Sequence, residues 1–136
     1  MKKCDAKIWA AGFFDGEGCI SLGKPQGRAT GYRLVVKVAQ KVDPPLKRLQ
    51  RNFGGSLWED KRYGSWQWQV CGDTASAFLL EILPYLIVKQ KQAQVAVAFQ
   101  ARRGPRFQRL TDEQKARDHE DYVTIRTLNR PGISVT

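Results

Sequence analysis

The residues best suited to chemistry are two carboxylates, Asp15 and Glu17, which alternate with Gly16 and Gly18 directly after an apolar stretch, residues 8–14. This pattern predicts an apolar helix that Asp5 caps and that the glycines end in an acidic turn. Carboxylates are unfavourable at a helix C-terminus, where the helix dipole is negative, so we expect a positive charge nearby. An acidic turn residue is usually only solvated. As a hard oxygen ligand, however, it could also bind a divalent cation such as Mg²⁺.

Small residues give the same helix a flat face. Gly12 and Gly16 are four residues apart and Ala11 lies beside Gly12, so another backbone could approach closely. In membranes this spacing packs helices together, but the apolar segment is far shorter than the roughly 20 residues that a membrane span needs. A buried core helix with a glycine-rich end is the ordinary alternative. The acidic residue at the point where the close approach would end favours a pair of helices that cross in water.

Residues 9–18 resemble the signature of the LAGLIDADG homing endonucleases, in which two helices cross at a two-fold axis through small residues and the last acidic residue binds a catalytic metal. The resemblance extends to further segments, which together span most of the chain. These segments are residues 34–41, 53–55, 84–86, 89–93 and 128–130. The match is therefore far more specific than the short, degenerate motif alone.

The resemblance implies an αββαββα fold of class α+β, with a four-stranded antiparallel sheet that binds DNA on one face and carries helices on the other. It also implies that Glu17 and the carbonyl of Gly16 bind Mg²⁺, with Mn²⁺ or Ca²⁺ as alternative ions. Gln40, at the end of a predicted strand, would position water near the nucleophile, and Lys89 would stabilise charge that develops on the phosphate. One motif per chain implies a homodimer. Its interface would contain Trp9, Ala11, Gly12, Phe13 and Gly16.

Two residues depart from the family pattern. Glu17 stands where many members have Asp, which keeps the charge but adds a methylene group, so we expect metal binding with altered reach. Pro44 stands where many relatives carry a basic residue just beyond the second strand. That role would then fall to Lys41, Lys47 or Arg48.

The composition favours a polyanionic partner. Lysine and arginine number 23 against 13 aspartate and glutamate, which gives a net charge of +10 in 136 residues. Nucleic acid is a better candidate than a membrane surface, because no basic amphipathic helix or lipidation motif stands out. We expect no small-molecule substrate. The length and the 42% hydrophobic content predict one domain, residues 1–136, with its own core.

The three cysteines, Cys4, Cys19 and Cys71, are odd in number and lack a C-x-x-C spacing, so neither a zinc site nor a disulfide framework is indicated. A reducing, intracellular compartment fits this pattern, and the N-terminus lacks the apolar core of a signal peptide. Organelle and bacterial or phage cytoplasm stay open as alternatives. His119, the only histidine, falls in a polar predicted helix, where an exposed bystander is a better explanation than a general base.

Hydrophobic periodicity predicts the element order helix, two strands, helix, two strands, then helices. In the second strand the even-numbered residues are apolar and face the core, whereas Arg33 and Lys37 face water with Val35 between them. Gln67 and Gln69 are predicted to lie on this same solvent-exposed face. Helix starts are predicted at Asp43, at Asp73 or Thr74, at Val88, and at a capping box over residues 111–114.

A two-stranded ribbon fits the major groove of DNA, where Arg and Lys suit guanine and Gln suits adenine. The outer sheet face and its flanking loops are therefore predicted to bind DNA, with a merely solvated face as the alternative. The predicted contacts are Ser21, Lys24, Arg28, Arg33, Lys37, Lys41, Lys61, Arg62, Gln67 and Gln69. Which of Glu59, Lys61 and Arg62 face DNA depends on a register that Gly54 and Gly55 leave open.

Together these features predict a site-specific, metal-dependent DNA endonuclease that acts as a homodimer on a nearly palindromic duplex. Two alternatives remain. The first is a family member that has lost cleavage and acts as a DNA-binding regulator or an RNA-splicing maturase. The second is a monomeric, basic structural protein such as one associated with ribosomes. The presence of Glu17, Gln40 and Lys89 favours cleavage over the first alternative.

Overall fold

The computed structural model describes residues 3–24, 31–103 and 110–130. In this part of the chain a four-stranded sheet carries a layer of helices on one face. The elements are α1 (Lys3–Glu17), β1 (Gly18–Gly23), β2 (Arg33–Gln40), α2 (Pro44–Phe53), β3 (Ser56–Asp60), β4 (Ser65–Cys71), α3 (Gly72–Ile82), a short 3-10 helix (Leu83–Tyr85), α4 (Gln90–Ala101) and α5 (Asp112–Leu128). The predicted α+β class and order of elements are confirmed. None of the helices in the described ranges is long and apolar enough to cross a bilayer.

Two antiparallel hairpins build the sheet. Strands β1 and β2 form the first, β3 and β4 form the second, and β2 pairs with β4 in the centre. The resulting strand order is β1-β2-β4-β3, so β1 and β3 are the edge strands. Helix α2 connects the two hairpins. Because the four strands form one sheet with the helices on one side, they share one continuous outer face on the other side.

Alternation along β2 divides the sheet into a core face and an outer face. Val36 and Val38 are buried beneath the helices, whereas Lys37 between them is exposed, as predicted. Trp68 continues the core face in β4, where its fully buried ring packs edge-on against Phe78 of α3 with centroids 5.1 Å apart. Burying a large apolar side chain stabilises a fold by about 1.5–3 kcal/mol. This burial therefore determines which side chains the outer face presents.

Helix α1 is longer than the sequence predicts. It begins at Lys3 and runs through both of its glycines to Glu17. Asp5 therefore lies within the first turn, and the predicted cap by Asp5 is wrong. Ala10 and Phe14 are fully buried within the hydrophobic core, which anchors this helix to the rest of the chain and leaves its last residue beside the start of β1.

Two glycines with positive φ fix the corner between α2 and β3. At Gly55 φ is +99°, and an added Cβ would lie 2.8 Å from the carbonyl oxygen of Gln69, so a side chain here would displace the backbone. The carbonyl of Gly54 accepts a hydrogen bond from Trp68 Nε1 at 2.8 Å. These contacts help set the register of β3 against β4, in which Leu57 pairs with Trp68.

Helix α2 begins after Asp43, as predicted, but Asp43 does not cap it through its side chain. Its carboxylate instead pairs with Lys47 at 2.8 Å, and this hydrogen bond lowers the pKa of Asp43. The predicted starts at Asp73 or Thr74 and at Val88 are corrected to Gly72 for α3 and Gln90 for α4.

Helix α5 packs against α4 and β1. Its predicted capping box is confirmed: Thr111 Oγ1 accepts from the N–H of Gln114 at 3.1 Å, and Gln114 Oε1 accepts from the N–H of Thr111 at 2.8 Å. Further along, the buried carboxylate of Asp118 lies 3.9 Å from the Arg102 guanidinium that follows α4. Burial raises the pKa of Asp118, although Arg103 and Arg102 oppose this effect.

Candidate active site and nucleic-acid interface

Asp15 joins the end of α1 to the start of α4. Its carboxylate accepts three backbone hydrogen bonds, from the N–H groups of Ile87 at 2.7 Å, Val88 at 3.1 Å and Lys89 at 3.0 Å. The Lys89 ammonium in turn donates to the carbonyl oxygen of Asp15 at 2.6 Å. These N–H groups lie at the positive end of the α4 dipole, where a carboxylate is favourable.

This arrangement explains how Asp15 is accommodated at the negative end of α1. The predicted nearby positive charge is confirmed: Lys89 and the N-terminus of α4 supply it. Hydrogen bonds to a charged group contribute about 1.5–3 kcal/mol each, so the link is strong. It holds Lys89 at the end of the helix that carries Glu17. This role of Asp15 could not be predicted from the sequence, because its partners lie 72 to 74 residues away.

Glu17 is exposed, and no hydrogen bond or ion pair joins its carboxylate to any residue in the described ranges. Gly16 is also exposed, and its carbonyl lies in the last helical turn, where carbonyl groups lack partners within the helix. Two such oxygen donors fit a hard divalent ion such as Mg²⁺. No three His, Cys, Asp or Glu side chains of the described residues cluster as a metal site.

Gln40 and Lys89 are both half-buried. Gln40 ends β2 and pairs with Trp66, so alternation places it on the core side of the sheet rather than beside Lys37. Lys89 stands at the N-cap of α4, one residue before the helix rather than inside its first turn. The structure thus brings Lys89 to the end of α1, while the role of Gln40 in positioning water stays a prediction.

The centre of the outer face carries the predicted polar residues. Lys37 pairs with Gln69 of β4 on one side and with Cys19 of β1 on the other, and Ala39 pairs with Gln67. The register therefore confirms that both glutamines share a face with Lys37. Gln69 Nε2 also donates to Cys71 Sγ at 3.2 Å, which orients its amide along the strand.

The remaining predicted DNA contacts lie outside the centre of the outer face. Lys61 and Arg62 lie in the turn between β3 and β4, because β3 ends at Asp60, with which Arg62 pairs at 3.3 Å. Their contact with DNA stays a prediction. Lys24 follows β1 and holds its ammonium 5.5 Å from the ring centre of Tyr122 in α5. Ser21 and Arg33 lie on the outer face, Lys41 is exposed just after β2, and Arg28 lies outside the described residues.

Trp58 is a residue of the outer face that the sequence analysis missed. It pairs with Gln67 and is 40% exposed. Leu57 points to the core beside Trp68, so alternation within β3 turns Trp58 outward. The sequence alone indicates that Leu57 and Trp58 face opposite sides of the sheet. Which of the two faces outward could be determined only from the register of β3 after Gly55.

One side of α1 is open at its glycines. A Cβ added at Gly12 or Gly16 would meet no described atom within 4 Å. Ile8, one turn earlier, is 50% exposed, and the half-buried rings of Trp9 and Phe13 stack with centroids 5.3 Å apart. Glycine destabilises a helix interior by about 1 kcal/mol relative to alanine, and packing within the chain does not require it here. The alternative of a buried core helix therefore fails for these two positions.

Ala11 is corrected. It is fully buried within the chain, so its assignment to a surface between subunits is wrong. Successive residues of an α-helix lie about 100° apart around the axis. Ala11 therefore packs inward while Gly12 faces out, although both are small.

A cleft of about 620 Å³ opens beside Lys89, between the starts of α4 and β1 and the end of α5. Lys91 and Arg130 also line it. The Asn129 side chain donates to the carbonyl oxygen of Ile20 at 2.8 Å, which ties the end of α5 to β1. Three cationic side chains thus border a concave surface next to the acidic end of α1.

Known protein structures share this architecture. The archaeal intron-encoded homing endonuclease I-Vdi141I, complexed with DNA, superposes with a TM-score of 0.80 at 18% identity, over 99% of this chain and 91% of that chain. The homing endonuclease I-CvuI, in complex with its target in the presence of calcium, gives 0.76 at 21% identity, over 98% and 87%. For I-GzeII, in complex with its DNA target, the values are 0.67 and 16%, over 94% of this chain but only 46% of that chain.

At these identities the structural neighbours show the fold alone. A comparison with curated protein sequences found no match. Residues 10–100, about two thirds of the chain, match the family described as LAGLIDADG endonuclease, and this range contains the acidic end of α1, both hairpins and Lys89. The chain therefore belongs to the LAGLIDADG endonuclease family.

Proposed function

We propose that this protein is a site-specific homing endonuclease that cuts both strands of duplex DNA as a homodimer. The observation that carries the proposal is the unpartnered Glu17 carboxylate at the end of an open, glycine-lined helix side. Two copies can cross at Gly12 and Gly16, where an added Cβ would meet none of the described atoms of the same chain within 4 Å. A crossing near Gly16 would bring the two Glu17 carboxylates close to the two-fold axis.

The chemistry follows from the groups at the end of α1. Bound Mg²⁺ would supply an activated water and polarise the scissile phosphate, and Glu17 and the Gly16 carbonyl would hold it. Lys89 is fixed at this end through its hydrogen bond to the Asp15 carbonyl, where its ammonium can stabilise negative charge that develops on the phosphate. We assign Gln40 to orienting water at the same site.

The outer face and the cleft divide the contacts to DNA. Side chains of the outer face, Lys37 and Gln69 among them, are suited to base edges in the major groove. The cations of the cleft, Lys89, Lys91 and Arg130, are suited to backbone phosphates. Two-fold symmetry of the protein would select a palindromic or nearly palindromic target, cut on both strands across the minor groove at the axis.

A Glu17→Gln variant tests the proposal. Wild-type protein should nick and linearise a supercoiled plasmid that carries a target selected from a randomised pool, in the presence of Mg²⁺. Glu17→Gln should bind the same target within about threefold of the wild-type affinity but should not nick it, because a neutral amide is a poor ligand for Mg²⁺. The matched control is Glu113→Gln, which changes an exposed acid in the first turn of α5 and should leave cleavage unchanged.

Three outcomes would contradict the proposal in different ways. Cleavage by Glu17→Gln would remove Glu17 from the mechanism. Sequence-specific binding by wild-type protein without cleavage in Mg²⁺ or Mn²⁺ would indicate the regulator or maturase alternative. A monomer at micromolar concentration that shows no sequence preference at moderate salt would indicate a basic structural protein.

A further inference from the structure

The outer face is organised in rows of residues that pair directly across neighbouring strands. The row nearest to the end of α1 contains Ala39, Gln67 and Trp58. The next row outward contains Lys37 and Gln69. The first of these rows carries no charge, and the second is cationic.

The same alternation continues away from α1. The third row contains Ser21, Val35 and Cys71, again without charge, and the fourth pairs Gly23 with the exposed Arg33. The order from the acidic end of α1 outward is therefore uncharged, cationic, uncharged, cationic. Each uncharged row contains one apolar side chain of substantial size, Trp58 in the first and Val35 in the third.

Trp58 is unusual for a side chain on an otherwise polar face. It is 40% exposed, and it has no hydrogen-bonded, aromatic or cationic partner among the described residues. Val35 is half-buried on the same face. Packing within the chain thus leaves apolar surface uncovered at two places, on both sides of Lys37.

The spacing of the rows matches that of base pairs. Residues two positions apart in an antiparallel strand are separated by about 6.8 Å, and two base-pair steps of duplex DNA also span about 6.8 Å. A strand that lies along the major groove would therefore present one row to every second base pair. Cationic side chains there suit the N7 and O6 acceptors of guanine, and apolar side chains suit the methyl group of thymine.

We infer that Trp58 and Val35 read thymine methyl groups, and that Lys37 and Arg33 read guanines. Along each half of the target, from the cut site outward, the protein requires a thymine, a guanine, a thymine and a guanine in four successive zones about two base pairs apart. This inference rests on the proposed function, since it takes the outer face to lie in the major groove. It adds which residues set the sequence preference and in what order.

The experiment begins with a target selected by wild-type protein from a randomised duplex pool at fixed salt. Single thymines in one half-site are then replaced by deoxyuracil, which removes only the methyl group, and single guanines by 7-deazaguanine, which removes only the N7 acceptor. We expect each critical methyl to contribute about fourfold to affinity, as for one buried methylene group. Counted from the cut site outward, deoxyuracil should weaken binding in the first and third zones. The analogue 7-deazaguanine should weaken binding in the second and fourth zones.

Protein variants assign each zone to its residue. Trp58→Ala should abolish the effect of deoxyuracil in the inner zone only, and Val35→Ala should do so in the outer zone only. Trp58→Phe, which keeps an apolar ring, should retain the inner effect and guards against loss of folding in Trp58→Ala. The matched control is Tyr63→Ala, which removes an aromatic side chain that is 74% exposed in the turn of the same hairpin and should leave both zones unchanged.

The possible results separate this inference from the proposed function. A selected target that lacks thymine in these zones, or whose binding does not respond to deoxyuracil, overturns the inference and leaves the endonuclease proposal standing. The inference is also overturned, and the endonuclease proposal left standing, if deoxyuracil in the inner zone weakens binding to Trp58→Ala as much as it weakens binding to wild-type protein. If the pool yields no enriched sequence at all, the proposed function fails, and the inference fails with it.

Discussion

Replacing Gly12 by alanine should have opposite effects on the single chain and on the proposed dimer. In the single chain the added Cβ meets no described atom within 4 Å. Alanine is also about 1 kcal/mol more favourable than glycine in a helix interior. We therefore expect the free energy of unfolding of the monomer to rise by up to about 1 kcal/mol, and its midpoint of thermal unfolding to rise by roughly 3–5 °C.

In the proposed dimer, the two added methyl groups would enter the seam, the surface where the two α1 helices cross, and we expect the helix backbones there to lie too close together to admit them. Overpacking costs about 1–3 kcal/mol per site, and each dimer carries the change twice. The dimer should lose about 2–6 kcal/mol, which raises the dissociation constant by roughly thirtyfold to roughly twenty-five-thousandfold. Cleavage should then be lost at protein concentrations below the new dissociation constant.

Sedimentation equilibrium from nanomolar to micromolar concentration measures the dimer, and thermal unfolding at a concentration where both proteins are monomeric measures the single chain. Gly12→Leu should show a larger effect on the dimer than Gly12→Ala. The matched control is Ala98→Leu, which adds bulk to an exposed position of α4 and should leave dimerisation unchanged. Gly12→Leu with wild-type dimerisation would refute the proposed seam, and a less stable Gly12→Ala monomer would show that the glycine serves the single chain.

Three further predictions concern stability. Asp15→Asn should lower the free energy of unfolding by about 1–3 kcal/mol in urea, because a neutral amide oxygen is a weaker acceptor for three N–H groups; an equal loss in the exposed Asp5→Asn would contradict this. Burial raises the pKa of Asp118, so wild-type protein should lose stability relative to Asp118→Asn as pH rises through that pKa. Thermal midpoints from about pH 3 to about pH 7 measure this difference, and a pH-independent difference would contradict the assignment. Gly55→Ala should cost at least about 2 kcal/mol because φ is +99° and the Cβ meets backbone, whereas Gly64→Ala, with φ +61° and open space, should cost about 1 kcal/mol. Equal losses at the two glycines would show that the close contact is relieved by small shifts.

Features that depend on neighbours in the sequence could be predicted. The alternation around Lys37 and the opposite directions of the glutamines and tryptophans in β4 follow from the two-residue period of strands. The capping box at Thr111 needs only a residue three positions away. In each case the chemistry that decides the structure lies within a few residues, so the sequence contains the whole argument.

Features that depend on distant or directional contacts could not be predicted. The role of Asp15 depends on backbone groups 72 to 74 residues away. The outward direction of Trp58 depends on a register that Gly55 helps to set. Ala11 and Gly12 are both small, and only the packing of α1 shows that the first faces the core and the second faces out.

The separation of the two sheet faces bears on how such a protein changes over generations. Lys37, Val35 and Trp58 point away from the interior, so mutations there leave Val36 and Trp68 in place. If the outer face binds DNA as proposed, substitutions there change the sequence preference while the buried core that stabilises the fold stays the same. For the same reason, protein engineering can replace residues of the outer face and keep the buried core beneath it unchanged.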